Sequence, residues 1–316
     1  MLSVSTNLNT SVGRRAIVVG SNGQDGSLVT DILAKRGYEV FGITRDNCDI
    51  HKQDDVLAKI REHDPDQIYY LAAHHESAEG TAHYRESDRI RLSFGTNTLA
   101  VLNFLEAIRL ENPSCRLFFA ASSHIFGAPS SHNQSEETAI SPICSYGISK
   151  AAGYHLCRYY REKHGLFAAT GILYNHACSS REKSFVIPKV VNAAVAAKKR
   201  RSTGQLVLGD LSAVVDWGYP PDYSEAMVRI LGLDEPSDFI IATGELHSVL
   251  ELVQVAFQAL ELDWRDHVTE RSSVIAKARV TLCGDSARLR RATGWRPTVT
   301  FHEMIRLLVK EAYEQA

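Results

Sequence analysis

The sequence predicts a doubly wound parallel α/β sheet followed by a smaller C-terminal lobe, and three observations carry that prediction. Strand-like and helix-like patterns alternate from residue 14 to about residue 119. The first apolar run, Ile17-Val18-Val19, breaks into a turn with glycines at Gly20, Gly23 and Gly26. Behind that turn, Leu28, Ile32 and Leu33 recur at helical spacing.

In chain order, strands are expected at 16–19, 39–44, 67–71 and 115–121, and helices at 25–36, 54–63 and 87–111. The glycines serve the first turn in three ways: a tight bend, close approach of backbone to a pyrophosphate, and close packing of helix on sheet. The helix start then aims free N–H groups at the phosphates. Gly20, Asn22, Gly23, Gln24, Asp25 and Gly26 are therefore read as a cofactor cradle. The expected fold is a Rossmann-type doubly wound sheet over 14–186, with residues 1–13 a disordered tail. Residues 187–316 form mainly a substrate-binding lobe, from which some segments return to the sheet.

Composition narrows the class. The chain has 316 residues, 44% hydrophobic and 23% charged, as in an ordinary soluble globular protein with room for a large core. A net charge of −2 points to neither nucleic acid nor a membrane surface as a partner. No apolar run approaches the ~20 residues of a membrane span, and the first dozen residues lack a signal-peptide pattern, so the expected location is cytoplasmic. The six cysteines are scattered without a Cys-x-x-Cys pair, and they are read as reduced thiols with no metal site. His74, His75 and Glu76 do not change that, because consecutive strand-end histidines point to opposite sides.

The end of the second strand bears on cofactor choice. An acidic side chain there holds the ribose 2′-hydroxyl of NAD, whereas a basic one accommodates the 2′-phosphate of NADP. The chain reads Ile43-Thr44-Arg45-Asp46, so Arg45 favours NADP, while Asp46 keeps NAD open. Asp49 and Ile50 follow as the adenine-edge contact, and Leu71, Ala72 and Ala73 as the floor beneath the second phosphate and ribose.

Past the fourth strand come Ser122, Ser123 and His124, and then Ser145-Tyr146-Gly147-Ile148-Ser149-Lys150. A Tyr four residues before a Lys on a helix puts both on one face. The lysine ammonium lowers the tyrosine pKa, and the phenol takes a proton from a substrate hydroxyl as hydride leaves the same carbon. A hydroxyl from Ser122 can hydrogen-bond that oxygen.

With these residues the chain resembles the extended short-chain dehydrogenase/reductase superfamily and, within it, the GDP-mannose 4,6-dehydratase family. The likeness runs from about residue 14 to the C-terminus. Its specific pieces are Gly-Ser-Asn-Gly-Gln-Asp-Gly-Ser at 20–27, Gly37-Tyr38-Glu39-Val40-Phe41-Gly42-Ile43, and Gly171-Ile172-Leu173-Tyr174-Asn175-His176. Asp216-Trp217-Gly218, Asp222-Tyr223, Glu225-Ala226-Met227 and the string from Ile241 to Val249 look like the family's second half. The resemblance implies a nicotinamide enzyme that oxidises C4 of a nucleotide-linked sugar, eliminates water across C5–C6 and returns the hydride to C6. It implies Tyr146 as base at the C4 hydroxyl, with Lys150 tuning it and holding the nicotinamide ribose. Ser122 stands where the family has Thr. Asn175 is implied at the sugar nucleotide and His176 at the nicotinamide end. Ser123, His75 and Lys189 complete the expected substrate side.

The sequence departs from the family at named places. His124 stands where the family uses Glu to remove the C5 proton; imidazole can serve as that base, or it can be a pocket residue in a chain that has lost elimination. Val214-Val215 replace Lys-Arg before Asp216, and Ile275–Val280 replace an Arg-containing run before Gly284-Asp285. Arg forks grip diphosphates better than isolated charges; Arg181, Lys189 and Arg279 are the candidates to compensate. The loop after the second strand is shortened to Asp46-Asn47-Cys48, which argues against a tetramer and leaves a homodimer through the helices near 87–111 and 146–164. Three functions stay open: a nucleotide-sugar dehydratase, a C4-only oxidase, ketoreductase or epimerase, and a silent NADP-binding paralogue.

Overall fold

The computed structural model describes residues 13–74, 85–131, 133–176, 185–200, 204–271 and 280–316. The first elements are β1 (Arg15–Val19), α1 (Gln24–Lys35), β2 (Glu39–Ile43), α2 (Gln53–His63) and β3 (Gln67–Tyr70). Next come α3 (Glu86–Phe94), a π-helical turn at Gly95–Leu99, α4 (Ala100–Glu111) and β4 (Arg116–Ser122). A 3-10 turn at Ser123–Phe126 leads to β5 (Asn133–Gln134), α5 (Ser145–His164), β6 (Ala168–Leu173) and β7 (Asn175–His176). The remainder begins with α6 (Val186–Lys198), β8 (Leu206–Leu208), β9 (Val214–Gly218), α7 (Pro220–Leu231) and β10 (Asp238–Ile241). It ends with β11 (Leu246–Ser248), α8 (Val249–Gln258), β12 (Val268–Glu270), β13 (Cys283–Gly284), α9 (Ala287–Thr293) and α10 (Phe301–Gln315).

Among the described residues, six strands form one sheet in the order β10-β6-β4-β3-β1-β2, and every pairing in it is parallel. Strands covered on both faces read as continuous apolar runs, and β1, β3 and β4 do so. One face packs Val56, Phe104, Ile108 and Tyr160 against Ile17, Ile68 and Phe119. The other packs Val29, Leu33, Met227 and Trp295 against Val18, Tyr69 and Ile241. A third core joins α6, α8 and α10 through Val190, Leu252, Val253, Ile305 and Leu308. Although they come late in the chain, α7 and β10 belong to the sheet layers, and α5 is tied to β10 by a paired fork from Arg161 to Asp238 at 3.0 and 2.8 Å.

The strands and first helices fall within a residue or so of their expected limits. The single helix expected over 87–111 does not: it is interrupted by the π turn at Gly95–Leu99. The reason is Asn97, a fully buried amide flanked by the buried hydroxyl residues Ser93 and Thr98. Its Nδ2 donates to the His74 carbonyl at 3.1 Å and to Ser149 Oγ at 3.0 Å, while its Oδ1 accepts from the His74 N–H at 3.1 Å. The wider turn lets the amide reach both partners, and leaving it unpaired there would cost about 1–3 kcal/mol.

Among the described residues, no helix is long and apolar enough to cross a membrane.

Candidate active site

The functional elements meet at the carboxyl edge of the parallel sheet, where open α/β folds bind ligands. At the end of β1, Gly20 adopts φ +85°, and a Cβ there would lie 3.0 Å from the Ala72 nitrogen. A Cβ on Gly26 would collide with the Gly20 carbonyl oxygen. Neither position admits a side chain, because the turn packs closely against Ala72 and α1 packs closely against Gly20.

Gly20 and Gly23 line a cavity of about 570 Å³ together with Arg45, Asp49, Ile50, Leu71, Ala72 and Ala73, all expected cofactor residues. Asn22 precedes the N-cap Gly23, and Gln24, Asp25 and Gly26 form the first turn of α1. The cavity is also lined by Thr44, Cys48, His51 and Thr96, which sequence reasoning did not select. His51 and Thr96 come from a loop and from the π turn, and only tertiary contact brings them to the cavity. The lining fits an extended dinucleotide: open glycine backbone at one end, an apolar floor, and Thr44 with Arg45 at the other.

The second cluster forms where β4 ends. Ser122 caps the 3-10 turn, accepting the His124 N–H at 3.3 Å, so one tight turn places both side chains. α5 starts beside it, and a Cβ on Gly147 would clash with the His124 carbonyl. The close approach sets the His124 ring edge-on to the Tyr146 ring, with centroids 5.7 Å apart. Ser123 is buried beneath, and Ser122, His124, Tyr146 and Lys150 thus come from three structural pieces, β4, the 3-10 turn and α5, onto one edge.

Lys150 is 1% exposed, and its Nζ donates to the Ala120 carbonyl at 2.7 Å. The ammonium also lies 5.0 Å from the Phe119 ring centroid and 5.9 Å from that of Tyr146. Burial outweighs these contacts and pushes its pKa down to about 7, so the lysine is poised to gain or lose its charge near neutrality. The helix that carries it is braced from behind. Ser149 Oγ donates to the Tyr146 carbonyl at 2.8 Å, and Thr98 Oγ1 donates to the Ser149 carbonyl at 2.8 Å. Through Asn97 this bracing reaches His74, just past the cavity floor.

On the lobe side, His176 is held by two acceptors: Nδ1 lies 2.8 Å from the Tyr174 carbonyl, and Nε2 lies 3.0 Å from both Asp25 oxygens. Its ring stacks on Tyr223 at 4.5 Å. Asp25 and His176, expected separately as cofactor residues, are therefore one pair joining the glycine turn to β7. Asn175 is exposed beside it on β7, and Lys189 is half-buried on α6. His75, Glu76, Arg181 and Arg279, like Cys178, lie outside the described residues.

Asp216, within the Asp-Trp-Gly string, is a structural pin. Its carboxylate accepts from Thr243 Oγ1 at 2.6 Å and from the N–H groups of Thr243, Gly244 and Gly284 at 3.1, 3.0 and 3.1 Å. Desolvation still prevails over these bonds and raises its pKa from the ordinary carboxylate value. Trp217 and Trp295 are core residues at 4% and 1% exposure, in keeping with packing rather than base stacking.

Comparisons with known proteins follow the same lines. The family model for GDP-mannose 4,6 dehydratase matches residues 46–308. GDP-mannose 4,6 dehydratase 1 of Arabidopsis thaliana is 32% identical over 330 residues, covering 95% of this chain and 90% of the plant protein. Among solved structures, RMD from Pseudomonas aeruginosa complexed with NADPH superposes with a TM-score of 0.84 at 22% identity, over 96% of this chain and all of that one. UDP-glucose 4-epimerase from Thermus thermophilus in complex with NAD gives 0.80 at 24% identity, again over 96% of this chain and all of that one. At those identities the two structures establish the Rossmann-type fold.

Proposed function

Because the chain belongs to the GDP-mannose 4,6-dehydratase family, we propose that it is a nicotinamide-dependent lyase that removes water from GDP-mannose or a related GDP-sugar. The observation that carries this is the edge-on pairing of His124 with Tyr146 beside Lys150 and Ser122. Tyr146 takes the proton of the C4 hydroxyl, and Ser122 hydrogen-bonds the same oxygen. His124 then removes the proton at C5, made acidic by the new C4 carbonyl, and water leaves from C6. A nicotinamide held at the glycine turn after β1 would supply the hydride acceptor for C4 and the hydride donor for C6. Ser123, Asn175, Lys189 and His75 are assigned to the sugar nucleotide.

Arg45 supports NADP as the cofactor, since it lines the cavity beside Thr44, where a 2′-phosphate would lie. Arg45→Ala is expected to weaken NADP binding by about tenfold or more, the size of one charge-assisted hydrogen bond, with a smaller effect on NAD. Titration of both cofactors checks it, and an equal loss for the two would return the choice to NAD. A cytoplasmic homodimer completes the reading. Leu92, Leu99, Ile148 and Tyr159 expose apolar surface on and between α3 and α5, which supports a dimer, and sedimentation equilibrium is the measurement that checks it. Cys48, Cys115, Cys144, Cys157 and Cys283 are free thiols, which supports a reducing compartment.

The test is mass spectrometry of GDP-mannose incubated with the protein and NADP. A product lighter by one water is expected, and His124→Ala should abolish it. Val214 and Val215 on β9, where the family has Lys-Arg, favour a second reading: C4-only redox chemistry on a different nucleotide sugar. Unchanged GDP-mannose, with reversible cofactor reduction by another nucleotide sugar, would select that alternative. Binding of cofactor and of no sugar would select the silent paralogue.

A further inference from the structure

We propose that Cys144 is a positioning residue for His124: its sulfur accepts the Nδ1 proton of the imidazole, leaving at Nε2 the lone pair that takes the C5 proton. This rests on the dehydratase reading and names a residue which that reading does not use. Cys144 is the N-cap of α5, two residues before Tyr146, and its Sγ accepts the Gly147 N–H at 3.4 Å. The same sulfur lies 3.9 Å from His124 Nδ1. The imidazole is therefore bracketed by the Tyr146 ring and by the thiol, both carried by the start of one helix.

The chemistry follows from the two ring nitrogens. A neutral imidazole has one N–H and one lone pair, and the partner of one nitrogen decides what the other offers. In the elimination, the C5–H bond breaks and the proton passes to Nε2, while the electron pair left on carbon forms the C5=C6 bond. The C6–O bond breaks, and the departing hydroxide takes the proton from Nε2 to leave as water, which restores the neutral ring. Between those two transfers both nitrogens carry hydrogen, and the Nδ1–H faces the Cys144 sulfur. The contact is thus strongest in the charged state that elimination passes through, and interactions of that kind raise rate.

The experiment compares the wild type with Cys144→Ala and Cys144→Ser, using GDP-mannose and NADP. It reads the ratio of water loss, by mass spectrometry, to cofactor reduction, by nicotinamide absorbance. Cys144→Ala is expected to lower that ratio about tenfold, a fraction of what a general base contributes, so that reduced nicotinamide accumulates. Cys144→Ser keeps an acceptor at the same place and should retain the ratio. A capping role alone would lower Tm and slow both steps together, because α5 also carries Tyr146. An unchanged ratio in Cys144→Ala with normal wild-type dehydration overturns the assignment alone. A wild type that reduces cofactor without losing water, or leaves the sugar untouched, overturns the dehydratase reading and the assignment with it.

Discussion

Replacing Tyr146 with Phe is expected to reduce turnover by about a hundredfold to ten-thousandfold, the range a positioned acid or base contributes, while cofactor affinity stays close to wild type. The substitution removes one oxygen from a half-buried ring whose packing against His124 is edge-on and hydrocarbon in character. The helix is held elsewhere: at its N-cap, through Ser149, and by the Arg161–Asp238 fork. Folding should therefore survive, and the whole effect should fall on the C4 step. Product formation and cofactor binding measured on one preparation separate the two. Turnover equal to wild type would remove Tyr146 from the mechanism.

Lys150→Met is the second large effect, and its sign can be worked out before the experiment. The ammonium has a folded pKa of about 7 against an ordinary value of 10.5. Between those values the unfolded chain binds a proton that the folded protein does not, so wild-type stability rises with pH through that window. Below pH 7 both states are charged and the full cost of burying the ammonium is present, at most about 5 kcal/mol. Methionine fills a similar volume without charge. The variant is expected to be more stable than wild type below neutrality, with its advantage shrinking as pH rises toward 10. Urea unfolding of the cofactor-free proteins across that range measures the gap directly. A gap independent of pH would mean that Lys150 keeps its proton in the fold. Turnover should drop by about a hundredfold or more, the loss expected if Lys150 serves Tyr146 and the nicotinamide ribose as proposed.

Much of this was legible in the chain itself, for physical reasons that differ from element to element. The β1 run and the glycine turn were readable because strand period, turn conformation and helix spacing are local properties. Tyr146 and Lys150 were readable because four residues on a helix make one face whatever surrounds them. The interruption of the helix at Gly95–Leu99 was not, because it answers to His74 and Ser149, which lie 23 and 52 residues from Asn97. Cys144 passed as an ordinary reduced thiol for the same reason. Only the packing of α5 against the turn after β4 shows that its sulfur faces an imidazole.

The sequence by itself determined the parallel α/β class, the glycine turn after β1 and the placement of Tyr146 and Lys150 on one helix face, all of them set by short-range spacing and side-chain chemistry. The tertiary structure decided what those residues face. It joined Asp25 to His176 across 151 positions, desolvated Lys150 until its charge became optional at neutral pH, and set His124 between a phenol and a thiol. Burial and long-range contact fix electrostatics, and neither is encoded in any single stretch of chain.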